Sequence, residues 1–370
     1  MQVTLFEAPP EDPSKSQIEN ILELTPVSDF GPDVFTNTRP LWHPPGARGI
    51  YGGAAIAQSL AAAQLTVSPG FSPHSMHCYF VLAGDAEIPI IYHVERVREG
   101  RSFATRTVQA RQKGKPIFTT TISFDREGSG GEEKVEHSTP KPNIALPPAN
   151  ASAASKGPFE TRNAGVVNRN SPRAEEKAIY QFLRARGTIS AAGGQQAHLS
   201  ALAYMSDSYF IGTIARVQNI PRFASPGALK DAISKLKNPS NLDSEEIERS
   251  LKELLRQEAA EFYAEAMQDS KVDPAPPKRE MGMMVSLDHT IYFHARGGFR
   301  ADEWLFIEMT SPWAGGGRGL VMQKMWSQDG TLLLTCVQEV RAFDPNCFPS
   351  SSSTICKCVE GILTDNRHDQ

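Results

Sequence analysis

The residues of this sequence that could do chemistry include no preformed serine nucleophile. The turn Gly-x-Ser-x-Gly, which presents the nucleophile of α/β-hydrolases, does not occur anywhere in the 370 residues. If this chain hydrolyses an ester or a thioester, we expect it to use a water molecule activated by a cluster of polar side chains.

Gln338 is the most informative polar side chain. It follows the apolar run 332–337, and an amide among such neighbours costs free energy unless it is hydrogen-bonded. Gln338 is therefore either structural or functional. Asp207, taken alone, is typical of a residue that ends or caps a helix.

Ser286, Asp288 and His289 lie close together in one predicted strand. Alternation along a strand places Asp288 on the same side as Ser286 and His289 on the opposite side. Asp288 and His289 should therefore point apart. We interpret His289 as a hydrogen-bonded structural histidine, with a supporting role beside a site as the alternative.

Two motifs that could hold a metal ion or a nucleotide do not have the required form. Cys356 and Cys358 have the wrong spacing for a zinc knuckle, and no matching His or Cys pair lies nearby. The glycine-rich stretch 315–319 matches neither the P-loop nor the dinucleotide-binding pattern. We expect no metal ion and no redox cofactor.

Composition and charge limit which binding partners and which cellular compartment we expect for this protein. The net charge of −4 gives no basic excess for nucleic acid or an anionic membrane, and no apolar run is long enough to span a membrane. The N-terminus lacks a secretory signal pattern, and five cysteines do not form a disulfide framework. We predict an intracellular protein, cytoplasmic or peroxisomal, although the C-terminus is not of the Ser-Lys-Leu type.

The elements that would position these residues follow one pattern twice. An Ala-rich segment, 52–67, predicts a buried helix, and short turns then separate four β-like segments that we expect to form antiparallel hairpins: 74–82, 88–98, 101–112 and 115–124. The second half has a predicted helix at 195–205 and β-like segments at 286–294, 303–309, 317–326 and 331–340. We therefore predict an internal duplication that packs as a pseudo-dimer.

Three segments fall outside this repeat. Residues 127–158 are rich in Gly, Ser, Pro and Glu and are typical of a linker. Residues 221–279 are strongly charged and contain a predicted amphipathic helix, which we interpret as a surface helix; a lid over a channel or an oligomer contact is the alternative. Residues 346–370 form a C-terminal tail, so the predicted domains are 1–126 and 159–345.

Several motifs occur in a fixed order and together resemble one known family. They are Tyr51-Gly-Gly-Ala-Ala-Ile-Ala-Gln-Ser-Leu60, Ser75-Met-His-Cys-Tyr-Phe80, Gly100-Arg-Ser-Phe103, Pro116-Ile-Phe118, Tyr204-Met-Ser-Asp207, Ser286-Leu-Asp-His289, Phe293-His294, Ser311-Pro-Trp-Ala-Gly-Gly-Gly-Arg-Gly319 and Val337-Gln-Glu339. The chain resembles the type II acyl-CoA thioesterases, which include bacterial thioesterase II and peroxisomal acyl-CoA thioesterases. The resemblance covers most of residues 20–125 and 160–342.

This resemblance implies both a fold and an activity. The implied fold is α+β, a double hot-dog in which two antiparallel sheets each wrap around a central helix and are fused as a pseudo-dimer. The implied activity is hydrolysis of fatty acyl-CoA to a free fatty acid and coenzyme A. The implied catalytic residues are Asp207, Ser286 and Gln338, which bind and activate water.

This set of side chains makes physical sense for that reaction. Asp207 can accept a proton from water when ionised, while Ser286 and Gln338 can hold the water without becoming charged. The backbone N–H of Gly53, at a helix start, is a candidate to polarise the substrate carbonyl. His289 is a candidate for a supporting role beside the substrate.

Two other functions remain open at this stage. The hot-dog fold also hosts hydratases, and a hydratase acting on enoyl-CoA would need a paired Asp and His, for which Asp288 and His289 are the only candidate. The third possibility is a non-catalytic acyl-CoA-binding protein. With acyl-CoA as the expected ligand, we predict a homo-oligomer with no nucleic-acid partner.

Overall fold

The computed structural model describes residues 3–42, 49–129, 135–148, 157–220 and 284–342. In the first half of the chain these residues form helices α1 (Gln17–Leu22) and α2 (Gly52–Gln64) and strands β1 (Leu24–Pro26), β2 (Val34–Asn37), β3 (Phe71–Phe80), β4 (Ile91–Glu99), β5 (Phe103–Gln112) and β6 (Lys115–Arg126). The second half contributes helices α3 (Gly194–Met205) and α4 (Thr213–Val217) and strands β7 (Phe159–Val167), β8 (Ala178–Ala185), β9 (Met284–Ser286), β10 (Asp288–Phe293), β11 (Leu305–Gly315), β12 (Arg318–Trp326) and β13 (Leu332–Ala342).

The strand order of the second half repeats that of the first. All pairs are antiparallel, and the sheet runs β1-β2-β4-β5-β6-β3-β10-β13-β12-β11-β8-β7, with β9 pairing to β13. Counted outward from the centre, the first half has the order β3, β6, β5, β4, β2, β1 and the second half has the corresponding order β10, β13, β12, β11, β8, β7. The two halves join where β3 pairs with β10, with Met76 opposite Ile291.

The strands predicted from the sequence are present, but one predicted pairing is wrong. Strand β3 pairs with β6, the last strand of the first half, and not with β4, which follows it along the chain. Residues 81–90 therefore connect β3 to β4 across the half sheet, and the first half is not a simple series of hairpins. Strands β1, β2, β7 and β8 were not predicted at all.

Helix α2 occupies the interior of the first half. Its Ala-rich sequence contains no proline, and ten of its residues, from Gly53 to Ala63, are buried on all sides. It packs against the inner face of the first-half strands and against α3. With 13 residues, α2 is the longest helix in the described segments, and none of these helices has the length and apolar character that crossing a bilayer requires.

Part of the predicted linker covers the outer face of the second half. Residues 135–148 form no helix or strand, but Ile144 packs on an aromatic cluster of Phe182, Trp304, Phe306 and Trp326. The Trp326 indole also donates to the Thr139 carbonyl oxygen (3.0 Å). The predicted amphipathic helix in 221–279 and the tail 346–370 lie outside the described residues.

Candidate active site

Asp207 lies where the two central helices meet. Helix α3 ends at Met205, and Asp207 follows its cap residue Ser206. The Asp207 carboxylate reaches the start of α2, where its Oδ2 accepts from the Gly53 N–H (3.0 Å), and its Oδ1 accepts from Gln338 Nε2 (3.3 Å). The Asp207 carboxylate, which follows the end of α3, is thus held between α2 and β13.

The surroundings of Asp207 raise its pKa to near neutral pH. Burial raises its pKa from the ordinary 3.8 to about 7, although the hydrogen bonds from Gln338 and Gly53 act in the opposite direction. The partial positive charge at the start of α2 also favours the carboxylate. A group with this pKa can accept a proton at neutral pH and release it again within one reaction cycle.

Gln338 has the hydrogen-bonded interior position that its sequence context indicated. It lies on the inner face of β13, opposite Val321, and is fully buried. Its Nε2 donates to Asp207, and its Oε1 has no hydrogen-bond partner among the described residues. That oxygen is therefore available to accept from a water molecule.

Ser286 is on the same face of the sheet as Gln338. Ser286 lies opposite Val340, which is fully buried and two residues beyond Gln338 on β13. Diagonal neighbours of this kind are about 7–8 Å apart in a sheet, within reach of a bridging water. The register therefore places Ser286 near Gln338, whose amide contacts Asp207.

An irregularity in the strand makes one prediction wrong. Ser286 of β9 pairs with Val340, and Thr290 of β10 pairs with Val337. The chain thus advances four residues from Ser286 to Thr290 while the opposing strand β13 advances three. The extra residue lies at Leu287, and the Asp288 carboxylate accepts from the Glu339 N–H there (2.6 Å). Asp288 thus satisfies the backbone of β13 at the bulge.

Because of this bulge, His289 lies on the same side as Ser286 and not on the opposite side. It is fully buried opposite Cys78 of β3. Its Nε2 is 2.9 Å from the hydroxyl of Ser206, the residue before Asp207, and burial lowers its pKa to about 3. His289 is therefore neutral and fixes the end of α3 beside Asp207.

The backbone N–H of Gly53 has a different partner from the predicted one. We expected it to polarise a substrate carbonyl, but it donates to Asp207. Glycine is required at this position because a Cβ would lie 2.2 Å from the Tyr204 carbonyl oxygen. In the structure Gly53 permits the close approach of α3 and holds the Asp207 carboxylate, which replaces the predicted role.

Sequence reasoning gave no role to an aromatic cluster beside Asp207. The Tyr51 and Tyr204 rings are 4.9 Å apart, with Phe159 within 6.3 Å of both and Trp42 within 6.2 Å of Phe159. The Tyr51 hydroxyl donates to the Tyr204 carbonyl oxygen (3.0 Å). Tyr51 and Tyr204 belong to motifs noted above. The signal that could have found them is an aromatic residue directly before Gly52 and another three residues before Asp207.

Comparison with known proteins identifies the same family over most of the chain. The family description "Acyl-CoA thioesterase N-terminal domain" matches residues 39–125, and "Acyl-CoA thioesterase C-terminal domain" matches residues 135–342. Acyl-coenzyme A thioesterase 8 of Homo sapiens is 32% identical over 358 residues, covering 90% of this chain and 90% of that protein.

Solved structures resemble the fold described above. The acyl-CoA thioesterase II TesB2 from Mycobacterium marinum is 26% identical, with a TM-score of 0.59, over 90% of this chain and 99% of that one. A protein from Alicyclobacillus acidocaldarius described as having a hot-dog fold matches with a TM-score of 0.54 and 16% identity, over 89% of this chain and 98% of that one. The latter likeness concerns the fold alone.

Proposed function

This chain belongs to the acyl-CoA thioesterase family and hydrolyses acyl-CoA, and we propose that it does so with a water molecule activated by Asp207, Ser286 and Gln338. The observation that supports this assignment is the Asp207 carboxylate, held by Gly53 and Gln338 with a pKa of about 7. A carboxylate so placed is a general base suited to neutral pH.

The proposed reaction needs no covalent enzyme intermediate. Water bound by the Gln338 Oε1 and the Ser286 hydroxyl attacks the thioester carbonyl carbon while Asp207 takes one of its protons. The tetrahedral intermediate then collapses, and the carbon–sulfur bond breaks. Asp207 returns the proton to the departing thiolate of coenzyme A, so the carboxylate is regenerated and a free acid is released.

We also propose that the fold is a double hot-dog. The repeated strand order and the two family matches, one for each half, support two fused units. The boundaries 1–126 and 159–345, joined by 127–158, stay a prediction, since the second match begins at residue 135. In this arrangement Asp207 and Gln338 come from the second unit and Gly53 from the first. The site would then lie where the two units meet.

The predicted homo-oligomer remains a proposal. Its support is that Tyr79 and Tyr292 are 61% and 42% exposed on the two central strands, β3 and β10. Light scattering of the purified chain tests it. The predicted intracellular location, cytoplasmic or peroxisomal, is tested by imaging a chain that carries an internal tag, so that both of its own termini stay intact.

The experiment that tests the proposed function compares two aspartate variants. Thiol release from a panel of acyl-CoAs is measured for wild type, Asp207→Asn and Asp288→Asn. We expect Asp207→Asn to lose activity by roughly 10²- to 10⁴-fold, as removal of a general base does. Asp288→Asn should stay within about threefold, since an amide oxygen can still accept from the Glu339 N–H.

The control variant also separates this function from a hydratase. An enzyme that used Asp288 with His289 would lose activity on enoyl-CoA in Asp288→Asn and keep it in Asp207→Asn. Full activity of Asp207→Asn in thiol release would refute the assigned base. Absence of thiol release with every acyl-CoA would refute catalysis of this kind and favour a binding protein.

A further inference from the structure

Hydrolysis of a thioester places negative charge on the carbonyl oxygen in the transition state. Enzymes stabilise this charge with hydrogen-bond donors that are already in position, and these donors make a large contribution to the rate. The Gly53 N–H, an obvious donor at a helix start, is already used by Asp207. Another donor near Asp207 is therefore needed if the proposed function holds, and the inference below depends on that function.

Tyr204 carries a donor of the required kind. The residue is fully buried, and its hydroxyl has no hydrogen-bond partner among the described residues. A buried hydroxyl without a partner lowers stability, so such a group calls for an explanation in a native protein. A ligand that accepts a hydrogen bond would provide one.

The position of Tyr204 relative to Asp207 fits this role. Helix α3 ends at Met205, but Ser206 keeps helical dihedral angles (φ −63°, ψ −24°), so Asp207 follows Tyr204 at the i, i+3 spacing that makes side chains neighbours on a helix. Burial raises the pKa of Tyr204, and the charge of Asp207 raises it further.

The neighbours of Tyr204 hold the ring in place without using its hydroxyl. Its ring packs against those of Tyr51 and Phe159, and its backbone carbonyl accepts from the Tyr51 hydroxyl. The ring is thus fixed by aromatic contacts, while the hydroxyl is left as a donor. Burial raises the pKa of Tyr204 well above 10, so the phenol keeps its proton over the working pH range.

We propose that the Tyr204 hydroxyl is a catalytic residue that donates a hydrogen bond to the thioester carbonyl oxygen and to the oxyanion formed from it. The phenol keeps its proton throughout, so no bond to Tyr204 forms or breaks. Asp207 acts on the water, and Tyr204 acts on the carbonyl. In the transition state Asp207 takes on the proton of the water, while the Tyr204 hydroxyl stabilises the negative charge on the carbonyl oxygen.

The buried His289 Nδ1 also lacks a partner among the described residues, but this ring already contacts the Ser206 hydroxyl through Nε2 and fixes the end of α3. Gln323 is another buried side chain to be considered near the site. It is fully buried on β12, and both of its amide atoms lack partners among the described residues. However, it lies opposite Cys336 and Met309, one row of side chains away from the pair Val321 and Gln338. Tyr204 precedes Asp207 at the i, i+3 spacing of a helix, so we assign the donor role to Tyr204.

The test is Tyr204→Phe, which removes the hydroxyl and keeps the ring. The matched control is Tyr92→Phe, because Tyr92 is also fully buried but its hydroxyl donates to Gln58 Oε1 (2.6 Å) in the first half. For each variant, kcat and KM for one acyl-CoA and the thermal midpoint of unfolding are measured. Asp207→Asn is assayed in parallel.

We expect opposite behaviour from the two tyrosine variants. Tyr204→Phe should lower kcat by roughly 10²- to 10³-fold, as loss of one oxyanion donor does, with KM within about threefold and a thermal midpoint no lower than that of wild type. Tyr92→Phe should lower the thermal midpoint and leave kcat within about twofold. The pH at which the activity of Tyr204→Phe is half-maximal should stay at the wild-type value.

Two results would overturn the assignment while leaving the proposed function in place. One is a kcat of Tyr204→Phe within threefold of wild type while Asp207→Asn is inactive. The other is a loss of kcat accompanied by a fall in thermal midpoint as large as that of Tyr92→Phe, which would indicate a structural hydroxyl. By contrast, an active Asp207→Asn variant would refute the proposed base itself.

Discussion

Replacing Asp207 with asparagine is expected to change stability in a way that depends on pH. The ionised carboxylate is buried, so its raised pKa means that the folded protein binds a proton more tightly than the unfolded chain does. Between pH 3.8 and about 7 the unfolded chain has lost this proton and the folded protein has kept it. The free energy of unfolding of wild type therefore falls as the pH rises through this window.

The magnitude follows from the two pKa values. A shift from 3.8 to about 7 corresponds to a loss of at most about 4 kcal/mol above pH 7, and about 2.5 kcal/mol of it falls between pH 5 and pH 8. The asparagine side chain of the variant does not titrate, so the stability of the variant relative to wild type should increase by up to about 2.5 kcal/mol over that range. The start of α2 favours the carboxylate, which makes this value an upper bound.

The assay is urea unfolding of both proteins at pH 5 and pH 8 and constant ionic strength. Trp304 and Trp326 are buried, so tryptophan fluorescence will report the loss of tertiary structure. Taking the difference between the two pH values removes the pH-independent effects of the substitution, such as the altered hydrogen bonds to Gly53 and Gln338. A difference that does not change between pH 5 and pH 8, or that decreases, would refute the raised pKa of Asp207.

Three further outcomes follow from the same site. If Asp207 is the base, kcat/KM of wild type should rise with pH and reach half its maximum near pH 7, whereas a flat profile from pH 5 to 9 would contradict this role. Gly52→Ala should lower kcat at least tenfold, since the added Cβ would lie 2.7 Å from Asp207 Oδ2. The control Gly212→Ala, whose Cβ would have its nearest contact at 3.4 Å, should keep kcat within about twofold of wild type. Equal losses of kcat in the two variants would contradict a specific effect of the Gly52 position on Asp207. Ser286→Ala should lower kcat by roughly tenfold or more without changing the urea midpoint by more than about 0.3 M, and an unchanged kcat would remove Ser286 from the site.

The local pattern of the sequence was sufficient to place most of the central elements. The Ala-rich segment forms α2 because it has no proline and almost no strongly polar side chains, and the turn residues around Gly100 and Gly114 separate β4, β5 and β6. Strands β7 and β8 were missed. Strand β7 carries polar residues in its middle, such as Arg162 and Asn163, which give it no apolar alternation to detect.

The side of the strand on which His289 lies could not be predicted. Strict alternation assumes a regular strand, but the extra residue at Leu287 reverses the side of every residue that follows it. This bulge exists only relative to the register of β13, and no feature of 286–289 alone announces it. The prediction failed because pairing with a distant strand decided the geometry.

The sequence by itself determined the types of group available and the local structure around each one. The amide of Gln338 after an apolar run, the carboxylate of Asp207 after a helix and the glycines at the start of α2 can all be read from neighbouring residues. Tertiary structure decided which of these groups share a site, because Gln338 and Gly53 reach Asp207 across 131 and 154 residues. Local periodicity fixes helices and strands, whereas strand register and helix packing depend on contacts between distant residues. These contacts brought the three groups together, and the burial that resulted raised the pKa of the carboxylate.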